Sequence, residues 1–325
     1  MKKNIAVVGC GHWGKNLVRN FYELGALYSI CDPIKEVAIK YSSKYKVKNN
    51  SFDEILNDYN IKGIVLAVPA YLHSSMSVEA MKAGKHVFVE KPLAMNKNDA
   101  KIMISTAKKN CVRLMVGHLL QYHPIFKFMK KMVVDNKIGQ LSYICSNRLS
   151  FGKVRTEEDV IWSFAPHDIS MILSLTNEEP EFITTKSTSI LQKNIADTAT
   201  VHIDFKSSLK AHISVSWLHP YKEQKLVVVG SSAILVFDDT KTWKEKLALY
   251  PYKSFSEEGF FRVNNSDFEY LDIIEEEPLK NECKHFIDVV EQGIQPLTND
   301  EEGFKVLEVL SAASESQINN QTVKV

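Results

Sequence analysis

The chain has 325 residues, which is longer than one compact core usually accommodates and predicts two domains. Its 40 basic residues nearly balance its 39 acidic ones, so the net charge of +1 indicates neither nucleic acid nor a membrane surface as the main partner. The 5 cysteines form no C-x-x-C pair and the histidines lack metal-ligand spacing, so neither a disulfide framework nor a metal is expected. No apolar stretch reaches the ~18 residues of a membrane span. These features predict a cytoplasmic protein.

Residues 1–122 alternate short apolar runs with amphipathic stretches. The apolar runs are Ile5–Val8, Tyr28–Cys31, Gly63–Val68, His86–Val89 and Arg113–Val116. Buried runs of this length, separated by helices, predict a parallel sheet with helices on both faces. We therefore expect an α/β protein whose N-terminal domain, residues 1–122, is a doubly wound Rossmann domain.

A second domain is predicted over residues 123–325, where the pattern changes to longer β-like stretches. These stretches are Leu141–Ser150, Phe182–Ser189, Ala199–Phe205, Ala211–Trp217, Lys225–Gly230 and Ile234–Asp238. Their sequential arrangement predicts a C-terminal α/β domain with an open, mostly antiparallel sheet. We expect this domain to bind the substrate and to mediate oligomerisation.

Helices and one loop complete the predicted second domain. One helix is expected at Pro124–Asp135, before the sheet, and another at His167–Leu175, within it. Residues 251–276 are expected to form a long exposed loop because serine, glycine and asparagine recur there. Two helices follow at Glu282–Gln292 and Asp300–Ser316, and we expect the C-terminal helix to pack back on the first domain.

A glycine motif follows the first apolar run. Gly9, Gly11 and Gly14, with His12 and Trp13 between them, form the pattern G-x-G-x-x-G at a predicted strand-to-helix turn. Glycines there permit a tight turn, close approach of a pyrophosphate and close packing of the helix on the strand. The N–H groups at the start of the helix would face the phosphates. The motif predicts a dinucleotide site lined by all five residues.

Asp32 ends the second apolar run. A carboxylate at this place would accept hydrogen bonds from the adenosine ribose hydroxyls and would repel a 2′-phosphate. NAD is therefore favoured over NADP, although Lys35 lies close by in the sequence. The alternative is that Asp32 is a turn residue before Pro33.

Glu90, Lys91 and Pro92 follow the fourth apolar run, at the end of a strand, where ligands gather in this fold class. A lysine beside a bound nicotinamide can hold a substrate hydroxyl and promote its ionisation. Glu90 would position Lys91 and the ribose, and Pro92 would restrict the direction of the chain. Taken alone, a Glu-Lys pair has the alternative of an ordinary surface ion pair.

Together these motifs resemble those of the Gfo/Idh/MocA family of oxidoreductases. The resemblance is carried by the glycine turn, by Asp32, by Ala67-Val68-Pro69 with His73, and by Glu90-Lys91-Pro92. It implies a Rossmann domain followed by an α/β domain with an open sheet, NAD as cofactor, and a homodimer or homotetramer. It also implies that Pro69, His73, Glu90, Lys91 and His118 contact the cofactor.

The resemblance further implies a catalytic histidine in the second domain, which works with the lysine on the hydroxyl being oxidised. His167 fits that position, and imidazole suits proton transfer because its pKa lies near neutrality. Many family members carry an aspartate four residues earlier, where this chain has Ser163. Whether Lys91 or His167 takes the proton therefore stays open.

Four further residues are candidates for the substrate site. Tyr122 lies in the segment that leads into the second domain, and Arg148 and Arg155 flank a strand and loop ahead of the histidine. Arginines suit bidentate contact with a diphosphate, and Trp162 could stack on a sugar or a base. Each also has an ordinary alternative, as a rim ion pair or a core aromatic.

The stretches Trp13–Asn16 and Trp162–Ser170 resemble one branch of the family, the bacterial sugar-nucleotide 3-dehydrogenases. This implies oxidation of the C3 hydroxyl of UDP-N-acetylglucosamine to a ketone, followed by a partner aminotransferase, in lipid A or surface glycan synthesis. Two alternatives stay open. The chain could be a dehydrogenase of a UDP-hexuronic acid, a free sugar or a cyclitol, or it could be a non-catalytic NAD-binding protein.

Overall fold

The computed structural model describes residues 2–152, 154–257, 260–265 and 267–325, with 253–257 and 260–265 described by their backbone alone. The described chain forms two compact units. One comprises Met1–Tyr122 and Glu276–Leu307, and the other comprises His123–Glu275 and Glu308–Val325. Residues 276–307 thus belong to the first unit. We had expected only the C-terminal helix to pack on that unit.

Strands and helices alternate in the first unit, and strands predominate in the second. In chain order, the strands of the described residues are β1 (Ile5–Val8), β2 (Leu27–Cys31), β3 (Lys48–Asn49), β4 (Gly63–Leu66), β5 (His86–Glu90), β6 (Leu114–Gly117), β7 (Leu141–Phe151), β8 (Pro180–Thr188), β9 (Thr198–Phe205), β10 (Lys210–Ser216), β11 (Leu218–Gly230), β12 (Ala233–Asp238), β13 (Leu247–Glu257), β14 (Phe260–Asn265), β15 (Glu269–Tyr270) and β16 (Val323–Lys324). The α-helices are α1 (Gly14–Glu23), α2 (Lys35–Tyr45), α3 (Phe52–Asn57), α4 (His73–Lys82), α5 (Lys97–Lys109), α6 (Pro124–Val134), α7 (Val160–Thr176), α8 (Pro278–Gln292) and α9 (Asp300–Asn319). Short 3-10 turns lie at Ala70–Leu72, Leu119–Tyr122 and Trp243–Glu245.

The first unit contains a parallel sheet in the order β3-β2-β1-β4-β5-β6, a doubly wound arrangement. The predicted Rossmann fold is confirmed, because the apolar runs form the strands from β1 outwards. Helix α8 also packs in the core of this unit. The ring of Phe286 lies 6.2 Å from that of Phe21 and 5.6 Å from that of Phe88. Gly63 permits this close packing, since a Cβ there would come within 2.8 Å of Val290 Cγ2.

The second unit is built on a sheet in the order β14-β13-β12-β11-β7-β10-β9-β8-β16, with β15 paired to β13. Strands β7 and β10 pair in parallel, and the other described pairs are antiparallel. Helices α6 and α7 pack on one face of this sheet. The predicted open, mostly antiparallel sheet is therefore confirmed. In the described part of the chain, every helix is too short or too polar to cross a membrane.

Two predictions for the second unit were wrong in detail. Helix α7 begins seven residues before the expected start at His167, because Asp159 caps it by accepting bonds from the N–H groups of Ile161 and Trp162. Pro166 lies inside this helix rather than before it, at the cost of one backbone hydrogen bond.

The long exposed loop expected at 251–276 is confirmed only at its end, where residues 271–276 form no helix or strand and are mostly exposed. The earlier described residues of that stretch are different. Their backbone instead extends β13 and forms β14 and β15, each paired to a neighbouring strand. Residues 258, 259 and 266 lie outside the described residues. Polar composition indicated a loop here, whereas backbone pairing between strands depends little on side-chain polarity at an exposed edge.

Candidate active site and cofactor site

The glycine turn has the geometry that dinucleotide binding requires. Gly9 has a φ of +88°, and a Cβ there would come within 2.3 Å of the Ala67 carbonyl oxygen. A Cβ on Gly14 would lie 1.9 Å from the Gly9 carbonyl oxygen, so the third glycine lets helix α1 approach the turn. A Cβ on Gly11 would meet no atom within 4 Å. The second glycine therefore serves no internal packing need and leaves the turn open to a ligand.

The start of helix α1 is also suited to an anion. Its N-cap residue, Trp13, makes no side-chain capping bond, and the first turn carries no acidic residue. The first N–H groups of a helix have no partner within it, and they carry partial positive charge. His12 and Trp13 are both exposed beside this end of the helix. Phosphate oxygens fit this arrangement.

Asp32 is held beside the glycine turn by two backbone hydrogen bonds. Its Oδ2 accepts from the N–H of Cys10 at 2.7 Å, and its Oδ1 accepts from the N–H of Ile34 at 2.9 Å. The carboxylate is half-buried, and each oxygen keeps a further lone pair for another donor. Asp32 is thus both the turn residue of the alternative interpretation and a positioned acceptor that ribose hydroxyls fit.

Glu90 links the glycine turn to the end of β5. Its Oε1 accepts a 2.6 Å bond from Trp13 Nε1–H, and its Oε2 accepts a 3.3 Å bond from the N–H of Lys91. A Cβ on Gly117 would come within 3.0 Å of Glu90 Oε2, so the glycine at the end of β6 leaves room for this carboxyl group. Burial raises the pKa of Glu90 to about 7, against the opposing effects of Trp13 and Lys91. These contacts exclude the alternative that Glu90 only forms an ordinary surface ion pair with Lys91.

Lys91 is half-buried at the carboxyl end of β5, and the Lys91–Pro92 peptide is cis. The loop that follows is held by His73, which is 1% exposed. His73 Nδ1 lies 2.7 Å from the Pro92 carbonyl oxygen, and its Nε2 lies 3.0 Å from that of Val68. His73, predicted to contact the cofactor, is thus placed between the loops that follow β4 and β5. Pro69, one residue after Val68, is exposed.

His118 and Tyr122 are both buried within the first unit. His118 is 1% exposed, and its Nδ1 lies 2.7 Å from Glu302 Oε2 on helix α9. Tyr122 is 1% exposed, and its hydroxyl bonds to Thr298 Oγ1 at 3.0 Å. These contacts give Tyr122 a packing role in this unit.

The second unit holds the remaining predicted site residues. His167 is half-buried on helix α7, and Ser163, one turn before it, is buried. Asp168 does not stand in for the missing family aspartate, because its two oxygens bond to Arg148, at 2.6 Å to Nε and 3.1 Å to an Nη. Ser146 adds a third bond to Asp168 at 2.6 Å. Arg148, predicted to bind a diphosphate, is thereby engaged in a largely buried ion pair.

Arg155 and Trp162 are also placed within the second unit. The side chain of Arg155 is exposed and lies 3.7 Å from Glu158 Oε1, a rim ion pair of the ordinary kind. The indole N–H of Trp162 donates to Ser314 Oγ at 2.7 Å, which ties helix α7 to helix α9. Their roles toward a substrate stay predictions.

Sequence reasoning missed two carboxyl groups of the first unit, Glu282 and Glu302. Glu282 on helix α8 is 0% exposed, and neither of its oxygens has a hydrogen-bond partner among the described residues. Burial, and then the charge of Glu90, raises its pKa well above the usual range. Glutamate in an amphipathic helix is normally a surface residue, so the sequence carried no signal for either group.

The sheet order, the glycine turn after β1 and the acidic residue after β2 define a dinucleotide-binding oxidoreductase class. A family model described as an oxidoreductase family with an NAD-binding Rossmann fold matches residues 3–118. A model for the GFO/IDH/MocA C-terminal domain matches residues 126–236. Together they cover more than half of the chain, which belongs to the Gfo/Idh/MocA family of NAD-dependent oxidoreductases.

Three curated relatives show how widely this family varies in what it acts on. The chain is 26% identical over 336 residues to myo-inositol 2-dehydrogenase of Thermotoga maritima, covering 99% of this chain and 98% of the relative. It is 23% identical over 255 residues to 2,7-anhydro-N-acetylneuraminate hydratase of Escherichia coli, covering 74% and 68%. It is 26% identical over 212 residues to UDP-N-acetylglucosamine 3-dehydrogenase of Acidithiobacillus ferrooxidans, covering 65% and 66%. The solved structure of that last enzyme has a TM-score of 0.85 at 19% identity over 98% of both chains, which shows a shared fold.

Proposed function

We propose that this NAD-dependent oxidoreductase oxidises the C3 hydroxyl of UDP-N-acetylglucosamine to a 3-keto sugar. The observation that carries the proposal is the 26% identity to a UDP-N-acetylglucosamine 3-dehydrogenase, joined to the motifs Trp13–Asn16 and Trp162–Ser170. The arrangement of Glu90 and Lys91 at the end of β5 supports it, because hydroxyl oxidation needs a positioned acid–base group there.

In this proposal the chain's own residues orient the reactants and handle the proton. The glycine turn and Asp32 hold the dinucleotide, and Lys91 holds the sugar hydroxyl and takes its proton as the C–H bond breaks. A nicotinamide held there would supply the hydride acceptor. Glu90 accepts the backbone N–H of Lys91 and so holds the main chain at the lysine. Holding both reacting groups in place can lower the barrier by roughly 7–11 kcal/mol.

His167 is the proposed second acid–base group. It lies one turn after Ser163 on helix α7, at the place where many relatives have aspartate before the histidine. We therefore propose Lys91 as the principal group and His167 as its partner. Tyr122, Arg148, Arg155 and Trp162 stay candidate substrate contacts.

The substrate is tested with purified protein, NAD and a panel of UDP-N-acetylglucosamine, UDP-N-acetylglucosaminuronic acid, myo-inositol and glucose. We expect NADH to form with UDP-N-acetylglucosamine, and more of it when an aminotransferase consumes the ketone. NADH formation with myo-inositol alone would favour the second candidate, a cyclitol dehydrogenase. That candidate is supported by the myo-inositol 2-dehydrogenase, which matches over 99% of this chain.

Lys91 is tested by Lys91→Ala, with Lys97→Ala as the matched control because Lys97 is exposed at the start of α5. We expect turnover to fall by at least about a hundredfold in Lys91→Ala, since positioned acid–base groups contribute that much, while NAD affinity changes little. Lys97→Ala should turn over like the wild type. Wild-type turnover in Lys91→Ala would remove the lysine from the mechanism.

The remaining parts of the proposal concern the location of the protein, its oligomeric state and its partner enzyme. We propose a cytoplasmic homodimer or homotetramer that supplies its ketone to a partner aminotransferase for surface glycan or lipid A synthesis. Light scattering of the purified protein gives the oligomeric state, and coupled transamination tests the partner. A monomer at working concentration would contradict the first point.

A further inference from the structure

His73, the first residue of helix α4, lies between the loop that follows β4 and the loop that follows β5. The residue is 1% exposed. Its Nδ1 lies 2.7 Å from the Pro92 carbonyl oxygen, and its Nε2 lies 3.0 Å from the Val68 carbonyl oxygen. Both distances are those of ordinary N–H···O hydrogen bonds, so each ring nitrogen meets a main-chain oxygen.

These two partners bear on the protonation state of the imidazole. A carbonyl oxygen can only accept, so both ring nitrogens have to donate if both hydrogen bonds are made. A neutral imidazole has one N–H group, and its other nitrogen would direct a lone pair at a carbonyl oxygen. Imidazolium has an N–H group on each nitrogen. The arrangement therefore favours a positively charged His73 over either neutral tautomer.

Two effects oppose a positive charge at this place, and the hydrogen bonds offset them. The start of a helix carries partial positive charge, and burial removes hydration from the charged form. Hydrogen bonds from an ionised donor are, however, roughly twice as strong as those between neutral groups. In the neutral form one of these bonds is replaced by a repulsive contact, which is buried with the ring. The charged form thus exchanges hydration for two strong hydrogen bonds.

Ionisable side chains around α4 come mainly from β5, from the loop after it and from α5. Glu90 and Lys91 lie at the same edge of the parallel sheet as His73, whereas His86 lies at the other end of β5. The lysines of α5 and the other ionisable groups of α4 are exposed, and Asp99 lies in the first turn of α5. Strand β4 has no ionisable side chain, and the turn before α4 has one exposed tyrosine. Glu90 is therefore the carboxyl group whose effect has to be separated from that of the two carbonyl oxygens.

The two hydrogen bonds of this imidazole connect the lysine to the glycine turn through the main chain. Pro92 directly follows Lys91, so the bond to its carbonyl oxygen holds the chain that leaves the lysine. Val68 directly follows Ala67, whose carbonyl oxygen lies against the glycine turn, since a Cβ on Gly9 would come within 2.3 Å of it. Each ring nitrogen is thus one residue along the chain from a part of the proposed site.

From this geometry we infer that His73 is a positioning residue, a buried imidazolium that holds Lys91 at a fixed distance from the glycine turn. The inference rests on the proposed role of Lys91. Both ring nitrogens face the main chain of the protein itself, so His73 acts through the two loops rather than by touching the reacting atoms. No bond at His73 forms or breaks during turnover.

The competing account is a neutral His73 that only fills space and makes one hydrogen bond. The variant His73→Gln separates the two accounts. The side-chain amide of glutamine has one donating and one accepting end, so it makes at most one of the two bonds to carbonyl oxygens. His86→Gln is the matched control, because His86 is half-buried in the same unit and its Nδ1 accepts from the N–H of Arg113 at 3.0 Å.

The first measurement uses the protein without cofactor or substrate, labelled with 15N in its histidine rings, at about pH 7. The 15N chemical shift of a ring nitrogen reports whether it carries a proton. The signals of His73 are assigned by their loss in His73→Gln or, if that variant does not fold, by correlation to the backbone. We expect protons on both nitrogens of His73, whereas Nδ1 of His86 should carry none because it accepts a hydrogen bond.

Glu90→Gln tests which groups hold the charge. Both carbonyl oxygens remain in that variant, so both nitrogens of His73 should stay protonated. A ring nitrogen of His73 without a proton in the wild type would overturn the charged form. Loss of a proton from His73 in Glu90→Gln would overturn the assignment of the charge to the two carbonyl oxygens.

The second measurement compares turnover of UDP-N-acetylglucosamine, per folded protein, in the wild type and the two variants. In His73→Gln we expect kcat to fall by at least about tenfold, because a small displacement of a reacting group slows the reaction strongly, while the KM for NAD changes by less than about threefold. His86→Gln should turn over like the wild type. An unchanged kcat in His73→Gln, or a raised KM alone, would overturn the positioning role. If the wild type forms no NADH, the proposed substrate fails, and the ring nitrogens still decide for or against the charged His73.

Discussion

The indole Nε1–H of Trp13 donates a 2.6 Å hydrogen bond to Glu90 Oε1, across 77 residues of sequence. The bond joins the glycine turn that follows β1 to the Glu-Lys-Pro loop that follows β5. Trp13 is 40% exposed, so packing does not account for its place there. The cofactor turn and the acid–base loop are thereby connected through one charge-assisted contact.

Replacing Trp13 by phenylalanine tests that connection. The bond from Trp13 lowers the pKa of Glu90, so its loss should raise that pKa above about 7. A hydrogen bond to a charged group contributes roughly 1.5 kcal/mol, which corresponds to about one pH unit. We expect the acidic limb of the kcat/KM profile to move by about that much toward alkaline pH. Trp243→Phe, which removes an indole bonded to the Ile273 carbonyl, is the control, and an unmoved limb in Trp13→Phe would refute the connection.

Alanine should weaken NAD binding at Gly11 and lower the stability of the fold at Gly14. A Cβ at Gly11 meets open space, so Gly11→Ala should leave stability within about 0.5 kcal/mol but weaken NAD binding, because the methyl group occupies the place of the phosphate. A Cβ at Gly14 lies 1.9 Å from the Gly9 carbonyl oxygen, so Gly14→Ala should destabilise the fold by ~1–3 kcal/mol. Urea unfolding and isothermal calorimetry with NAD measure the two effects. Unchanged NAD affinity in Gly11→Ala would contradict the assigned path of the pyrophosphate.

Asp32 is expected to discriminate between the two nicotinamide dinucleotides. Asp32→Ala removes the acceptor for the N–H groups of Cys10 and Ile34 as well as the proposed ribose contact. NAD affinity should fall by about tenfold, which is one charge-assisted hydrogen bond, while NADP affinity should fall less because a repelling charge is lost. Asp32→Asn keeps an acceptor oxygen and is the matched variant. Equal losses for both cofactors would mean that Asp32 serves the turn alone.

Removing one partner of the Arg148–Asp168 pair is expected to destabilise the second unit. Asp168 is 1% exposed, so Arg148→Met leaves a buried carboxylate without its cation and should cost ~3–5 kcal/mol of unfolding free energy. The double variant Arg148→Met with Asp168→Leu should recover much of that loss. Arg155→Met, at an exposed pair, should change stability by less than ~1 kcal/mol. A raised KM with unchanged stability in Arg148→Met would instead support the predicted diphosphate contact.

The spacing of apolar residues predicted those strands well whose side chains are buried on both faces of the sheet. The run Ile5–Val8 became β1 at the same residues, because a continuous apolar run before a glycine turn has few alternatives. Secondary structure was predicted less well where it depends on hydrogen bonds from residues outside the predicted element. The helix was expected to begin at His167, but the capping bonds of Asp159 begin α7 more than a turn earlier.

The sequence by itself determined the cofactor end of this protein. Gly9, Gly11, Gly14 and Asp32 act through backbone geometry and hydrogen bonds within one β-α-β unit, and such local requirements leave a readable spacing. Only the tertiary structure decided which partners Glu90 and His118 have and which cation Asp168 meets. Those contacts depend on strand order and helix packing, which bring Glu90 to Trp13 and Glu302 to His118 from distant parts of the chain. Burial then changes the pKa of a carboxyl group in a way that its neighbours in sequence do not reveal.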